Sequence, residues 1–230
     1  MKCFCFLYLL IFSFANGQET FYTAKKEFQL GNYATAQPLF EQYLKNNPKD
    51  LKSVEYLGDI QSHSKNWEQA IVYYEKLKLA KPNVADYQYK YGGALAMIAK
   101  SSNKFRALTM IGDIENSFLN AVKFDPNHID AHWALVEYYL QIPAIFGGSE
   151  RKAVLYANAL LKISAVDGYL AKGRIAEYFE RYATAEKYYK NAIAVGNSKT
   201  TYQKLADLYK NKMNQPEKAK QLLLKFAEKG

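Results

Sequence analysis

Three imidazoles, His63, His128 and His132, are the groups in this sequence whose ordinary charge change lies near neutral pH, and so its only ready general bases. His128 and His132 are four residues apart, with Asp130 and Glu137 close by, and on one helix face that set would sketch a metal site. The surrounding "DPNHIDAHW" argues against it, because His128 precedes or begins a helix rather than sharing a face with His132. No hydrogen-bonding partner is spaced to orient either ring for a metal. His63 falls in the polar "SHSKN" and reads as a solvated turn residue. The expectation is that the protein holds no metal or cofactor and is not an enzyme.

A second candidate is "QIPAIFGGSERK", Gln141 to Lys152. Pro143 should break one helix and Ser149 could cap the next. Two glycines ahead of a helix start can expose backbone N–H groups, so an anion could dock at Ser149, Arg151 and Lys152. No strand precedes the glycines and no Walker lysine–serine pair follows them. The plainer reading is a long turn whose Ile145 and Phe146 pack back on the hairpin.

Nucleophilic thiols are excluded on other grounds. Both cysteines, Cys3 and Cys5, lie in "MKCFCFLYLLIFSFANGQE", which has a cation at Lys2, an apolar run from Cys3 to Phe14, and small residues at Ala15 and Gly17. Residues 1–17 are expected to be a cleaved signal peptide, since the apolar run is shorter than the roughly 20 residues of a membrane span. The remaining chain would have no cysteine, no disulfide, no Asn-X-Ser/Thr acceptor and no transmembrane span. That composition suits a bacterial periplasm. The net charge of +9 comes from lysine scattered along the chain rather than from a basic stripe, so nucleic acid is not an expected partner. Weak attraction to an anionic envelope polymer or lipid surface stays open.

Aromatic residues make up 15% of the chain, which argues against disorder and for a packed scaffold. Apolar residues recur at helical spacing on either side of "SHSKN": Val54, Leu57 and Ile60 before it, then Ala70, Tyr73, Tyr74 and Leu77. The spacing predicts two helices joined by a short turn. The same features return every 34 residues, as Gly58 and Gly92, Tyr33 and Trp67, Ala36 and Ala70, Phe40 and Tyr74, and Pro48 and Pro82. Gly58 and Ala70 are small where the helices must approach closely, Trp67 and Tyr74 fill the space around them, and Pro82 stops the second helix.

This pattern resembles the tetratricopeptide repeat family, whose unit is 34 residues long with small residues at its eighth and twentieth positions and a proline near its end. The resemblance implies an all-α fold, a right-handed superhelical solenoid of about six helical hairpins. It divides residues 18–230 into units of approximately 18–50, 51–84, 85–128, 129–165, 166–198 and 199–230. The third unit carries about ten extra residues, whose helical spacing through Phe105, Leu108, Ile111, Ile114 and Phe118 predicts a lengthened second helix rather than a loop. Lys172 stands where the family prefers leucine, and Val136 replaces the small eighth residue.

In this family the first helices line a concave groove, and placing them in register yields candidate partner-binding residues. They are Phe21, Lys25, Phe28, Glu55, Asp59, Tyr89, Trp133, Glu137, Leu140, Leu170, Arg174 and Glu177. Apolar anchors flanked by charges suit an extended peptide or helix of another protein, with Trp133 and Tyr89 the leading anchors. The family's clamp for a peptide carboxylate is not expected, because Asp59, Gly93 and Met97 stand where complementary groups would be needed. Leu222, Leu223, Leu224 and Phe226 cannot all face one preceding helix, which motivates an expected end-to-end homodimer. The resemblance together with the expected leader implies a non-catalytic periplasmic adaptor, and the net positive charge with the "GGSERK" helix start motivates the alternative, a binding module for anionic polymer or lipid.

Overall fold

Asp50, Ser164 and Ser198 each stand one residue ahead of an apolar helical run, and in the computed structural model each caps a helix. Asp50 accepts from the Ser53 N–H at 2.7 Å, and Ser198 forms a reciprocal capping box with Thr201. The structure describes residues 18–228. The expected leader, with Cys3 and Cys5, lies outside them.

Twelve α-helices and one 3₁₀ turn form the described chain. They are α1 (18–29), α2 (Tyr33–Asn46), α3 (Leu51–His63), α4 (Trp67–Ala80), α5 (Ala85–Ser101), α6 (Lys104–Phe124), α7 (Ile129–Gln141), α8 (Glu150–Ile163), α9 (Ala165–Tyr178), α10 (Tyr182–Gly196), α11 (Lys199–Asn211) and α12 (Pro216–Ala227). The 3₁₀ turn, Ala144–Phe146, lies between α7 and α8. The extra residues of the third unit form the 21-residue helix α6, as their spacing predicts.

The chain divides into two compact units, the first ending at Ser117 and the second starting at Phe118. In the first, α2 packs on α3, α3 on α4 and α4 on α5. Its core has two clusters, one around Ala24, Ala36, Phe40, Leu57 and Ile60, the other around Val54, Ala70, Tyr74, Leu77, Tyr87 and Ala94. In the second unit each helix from α7 to α12 packs on the next, and α9 also touches α7 and α11.

Close approach explains the small residues. A Cβ on Gly58 would lie 2.6 Å from the Tyr74 ring, and one on Gly173 would lie 2.3 Å from the Tyr189 ring. Tyrosine thus packs flat against a helix backbone only where glycine removes the obstruction. Gly168 does the same for α8, its missing Cβ leaving room for the Leu161 backbone. Val136, large at a position that is usually small, is fully buried on α7, while the facing helix α8 buries Ala153 and Ala157. Lys172 is half-buried, with its ammonium over the Tyr188 ring at 5.9 Å.

Every first-to-second helix turn needs a tight reversal, and several use the left-handed region: Gly31, Lys65, Gly147, Glu180 and Asn214 all have positive φ. Only two of these are glycine.

Candidate functional site

The candidate residues on the first helices fall into three structural groups. In the first unit, Phe21 and Phe28 join an aromatic cluster. Phe21 meets Tyr43 at 5.1 Å and Phe40 at 5.8 Å, and Phe28 meets Tyr56 edge-on at 4.9 Å. Both rings are half-buried, as are Lys25 and Tyr89. His63 is the last residue of α3 rather than part of the turn, and it stacks on Tyr33 at 4.7 Å.

Glu55 and Asp59 form the second group. One turn apart on α3, they converge on a single cation, Lys90 of α5. Lys90 donates to Glu55 Oε1 at 2.7 Å and to both oxygens of Asp59 at 2.8 Å, Lys52 adds a bond to Glu55 at 3.0 Å, and the Tyr74 hydroxyl donates to Asp59 Oδ1 at 2.8 Å. Burial opposes the charge on Lys90, but Asp59 and Glu55 outweigh it and raise its pKa. Burial likewise opposes the charge on Glu55, and Lys90 with Lys52 outweighs it and holds the carboxyl below its ordinary value. Burial, then Asp59, pushes the Tyr74 hydroxyl up. The group is built to remain charged rather than to exchange protons.

The second unit repeats the arrangement with other residues. Arg174 of α9 grips Glu137 of α7 with two bonds, at 2.8 and 3.2 Å. Its guanidinium lies over Tyr178 at 5.6 Å. Glu177 accepts from the Tyr189 hydroxyl at 2.7 Å, and burial followed by Glu177 pushes that hydroxyl up. Trp133 donates its indole N–H to Asp167 at 2.8 Å and packs against the cluster that contains Leu170.

Two residues expected to line the groove are instead buried: Leu140 is 3% exposed and Leu170 8%. On α7, Leu135, Val136, Tyr138 and Tyr139 are also buried, so the helix is enclosed over most of its circumference and Leu140 has no outward face. Leu170 sits on α9, which packs on α7, α8, α10 and α11.

Two of the three candidate anion residues, Ser149 and Lys152, are engaged within their own hairpin. The Ser149 hydroxyl caps α8 by accepting from the Lys152 N–H at 3.3 Å, and its own N–H donates to the Tyr139 carbonyl at 2.9 Å. The Lys152 ammonium lies over the Tyr139 ring at 4.7 Å, and Arg151 is exposed. The Glu150 carboxylate already supplies negative charge to the first turn and pairs with Arg181. The expectation that Ile145 and Phe146 pack back on the hairpin fails, since they are 83% and 42% exposed.

His128 caps α7, its Nδ1 accepting from the Ala131 N–H at 3.2 Å. His132 is buried and directs Nε2 at the Pro126 carbonyl, 2.9 Å away. The two rings therefore serve different elements. Among the described residues no group of three His, Cys, Asp or Glu could hold a metal ion, and no helix is long and apolar enough to cross a membrane.

The sequence reading missed a further node in the second unit. Glu186 of α10 accepts from Lys190 at 2.7 Å, from the Tyr209 hydroxyl at 2.7 Å and from Lys218 at 3.2 Å. Lys190, then Tyr209 and Lys218, hold its carboxyl at about 2 against the opposing effect of burial. Burial and then Glu186 push the Tyr209 hydroxyl up to about 12. A signal was present: Lys90 follows Glu55 by 35 residues, Arg174 follows Glu137 by 37, Asp167 follows Trp133 by 34 and Lys218 follows Glu186 by 32. Partners stand about one repeat apart.

A stack of helical hairpins with small residues at the crossings and polar partners one repeat apart defines a class, the helical repeat proteins. The sequence profile of the tetratricopeptide repeat matches residues 27–97, and the described helices have the fold of tetratricopeptide repeat proteins. The fold is shared over a longer span. A thermophilic protein of this family from Thermus thermophilus has a TM-score of 0.64 at 17% identity, over 90% of this chain and 99% of that one. A tetratricopeptide repeat protein from Parabacteroides merdae has a TM-score of 0.65 at 15% identity, over 91% and 78%. YrrB, described as having an unusual peptide-binding site, has a TM-score of 0.56 at 15% identity, over 79% and 87%. No curated protein matches the chain in sequence.

Proposed function

We propose that this protein is a non-catalytic scaffold in the periplasm, binding an extended peptide or helix of another protein along the first helices of its hairpins. The observation that carries the reading is the state of the charges on those helices. Glu55 and Asp59 are paired with Lys90, and Glu137 with Arg174. Carboxylates locked in such pairs are poor acids and bases, but within the first unit Glu55 and Asp59 form a patterned surface with half-buried aromatics such as Phe28 and Tyr89 on the same set of first helices. Repeat folds of this kind present extended surfaces to partners, and the peptide-binding site named for YrrB supports the same use here. The periplasmic part of the proposal rests on the leader sequence alone, with Lys2, the apolar run to Phe14, and Ala15 and Gly17.

The test is a displayed library of extended and helical peptides. Enrichment of a shared motif, weakened about tenfold or more by Tyr89→Ala or Lys25→Glu with helical circular dichroism unchanged, supports the reading. Peptides that enrich equally on both variants, or no enrichment at all, overturn it.

A further inference from the structure

The second unit presents an edge that the peptide-binding reading does not use. Helices α7 to α12 pack in sequence with short connections, so the α7–α8, α9–α10 and α11–α12 turns come out on one side. Arg181 at the start of α10 pairs with Glu150 at the start of α8, and Lys218 near the start of α12 pairs with Glu186 on α10. These contacts tie the three turns into one row.

The first of the three turns carries an apolar tip on a fixed backbone. The Phe146 N–H donates to the Pro143 carbonyl at 2.8 Å and the Gly148 N–H to the same carbonyl at 3.2 Å. Gly147 takes φ +104°, and a Cβ on Gly148 would sit 1.7 Å from the Ile142 carbonyl oxygen. That frame holds Ile145 at 83% exposure and Phe146 at 42%, so their projection is built in rather than a consequence of looseness. In the next turn Phe179 is 40% exposed, with the Arg181 guanidinium over its ring at 5.1 Å.

We propose that this edge docks on the surface of an anionic lipid bilayer, with Ile145 and Phe146 entering the boundary between headgroups and acyl chains. Shape favours that occupant, because a protein would need a pocket matched to a convex tip whereas a bilayer yields to it. Charge favours it too. Along the same row the exposed Arg151 and Lys212 and the half-buried Lys152 outnumber the exposed Glu180 and Glu217, and the Glu150 carboxylate is already paired with Arg181. Apolar side chains on an edge that also carries cations are a combination by which proteins engage anionic headgroups.

The test uses the full chain with Phe146→Trp. Trp67 and Trp133 contribute a background that the parent chain measures directly. With vesicles of equal parts phosphatidylcholine and phosphatidylglycerol carrying brominated acyl chains, the added tryptophan should shift to the blue and be quenched. The effect should be reversed by high salt and be absent with phosphatidylcholine alone. In cosedimentation, Ile145→Ser with Phe146→Ser should lower partitioning about tenfold or more, with helical circular dichroism retained. No quenching of the added tryptophan, or partitioning that ignores the double substitution, overturns the proposal and leaves the tip to a protein contact. Either result is independent of the peptide library, whose readout lies on the first helices.

Discussion

Lys90 on α5 donates to both carboxylate oxygens of Asp59 on α3 at 2.8 Å while the Tyr74 hydroxyl donates to one of them. One carboxylate thus joins three consecutive helices, α3, α4 and α5. Replacing Lys90 with Met leaves Asp59 without its cation and Glu55 with Lys52 alone. The expected cost is about 1–3 kcal/mol, below that of a fully buried pair because Lys90 keeps 22% of its surface exposed. Urea denaturation of both chains at neutral pH measures it.

The same group sets a pH dependence with a definite sign. Glu55 is held below its ordinary value of 4.5, so its contribution is complete above 4.5 and is lost as pH falls through the lowered value. Lys90 is raised above 10.5, so its contribution is complete below 10.5 and is lost as pH rises through the raised value. Glu55→Gln should therefore lose stability at neutral pH and narrow the gap to the parent in strong acid. Denaturation midpoints measured down to about pH 2 would refute this if the gap stayed constant.

Glu186 offers a separate acid titration. Its carboxyl is held at about 2 by Lys190, Tyr209 and Lys218, so the tie from α10 to α11 and α12 should persist until pH approaches that value. Glu186→Gln should increase amide hydrogen exchange in α12, where Ala219 is the buried residue, more than in α9, which buries six. Equal changes in the two helices would show that the node has no local role.

Glycines at different places should respond in opposite directions. Gly173→Ala drives a Cβ to 2.3 Å from the Tyr189 ring and should cost about 1–3 kcal/mol. Gly93→Ala, inside α5 with nothing within 4 Å, should gain about 0.5–1 kcal/mol. Glu180→Gly relieves a residue at φ +57° and should be neutral or stabilising by up to about 1 kcal/mol. Thermal midpoints of the three variants should fall, rise, and hold or rise, respectively.

Helices and their crossings were legible because both follow from local rules. A 3.6-residue period marks an apolar stripe, and small residues such as Gly58 and Ala70 mark where another backbone comes close. The same logic found α6, whose stripe runs through Ile114 and Phe118 into the core, although Phe105 and Leu108 at its start remain exposed. Orientation was less legible. Leu140 has the right period for an outward position, but α7 is enclosed on most sides, and period alone cannot distinguish a lined face from a covered one. Nor does apolarity reveal whether a turn residue folds inward, as Ile145 shows. The α12 stripe resolved by packing: Leu222 and Leu223 join the core, Phe226 meets Tyr202 at 4.7 Å, and Leu224 stays 53% exposed.

Polar partners one repeat apart change how the array comes undone. Asp59 and Lys90 belong to successive hairpins, as do Glu137 and Arg174, and Glu186 and Lys218. When a hairpin peels away it strands the opposite charge on the neighbour that remains folded, so each boundary between ordered and melted repeats carries an electrostatic penalty. Within each unit that penalty discourages partial melting and favours loss of neighbouring hairpins together, giving a nearest-neighbour coupling that weakens as salt screens the stranded charge.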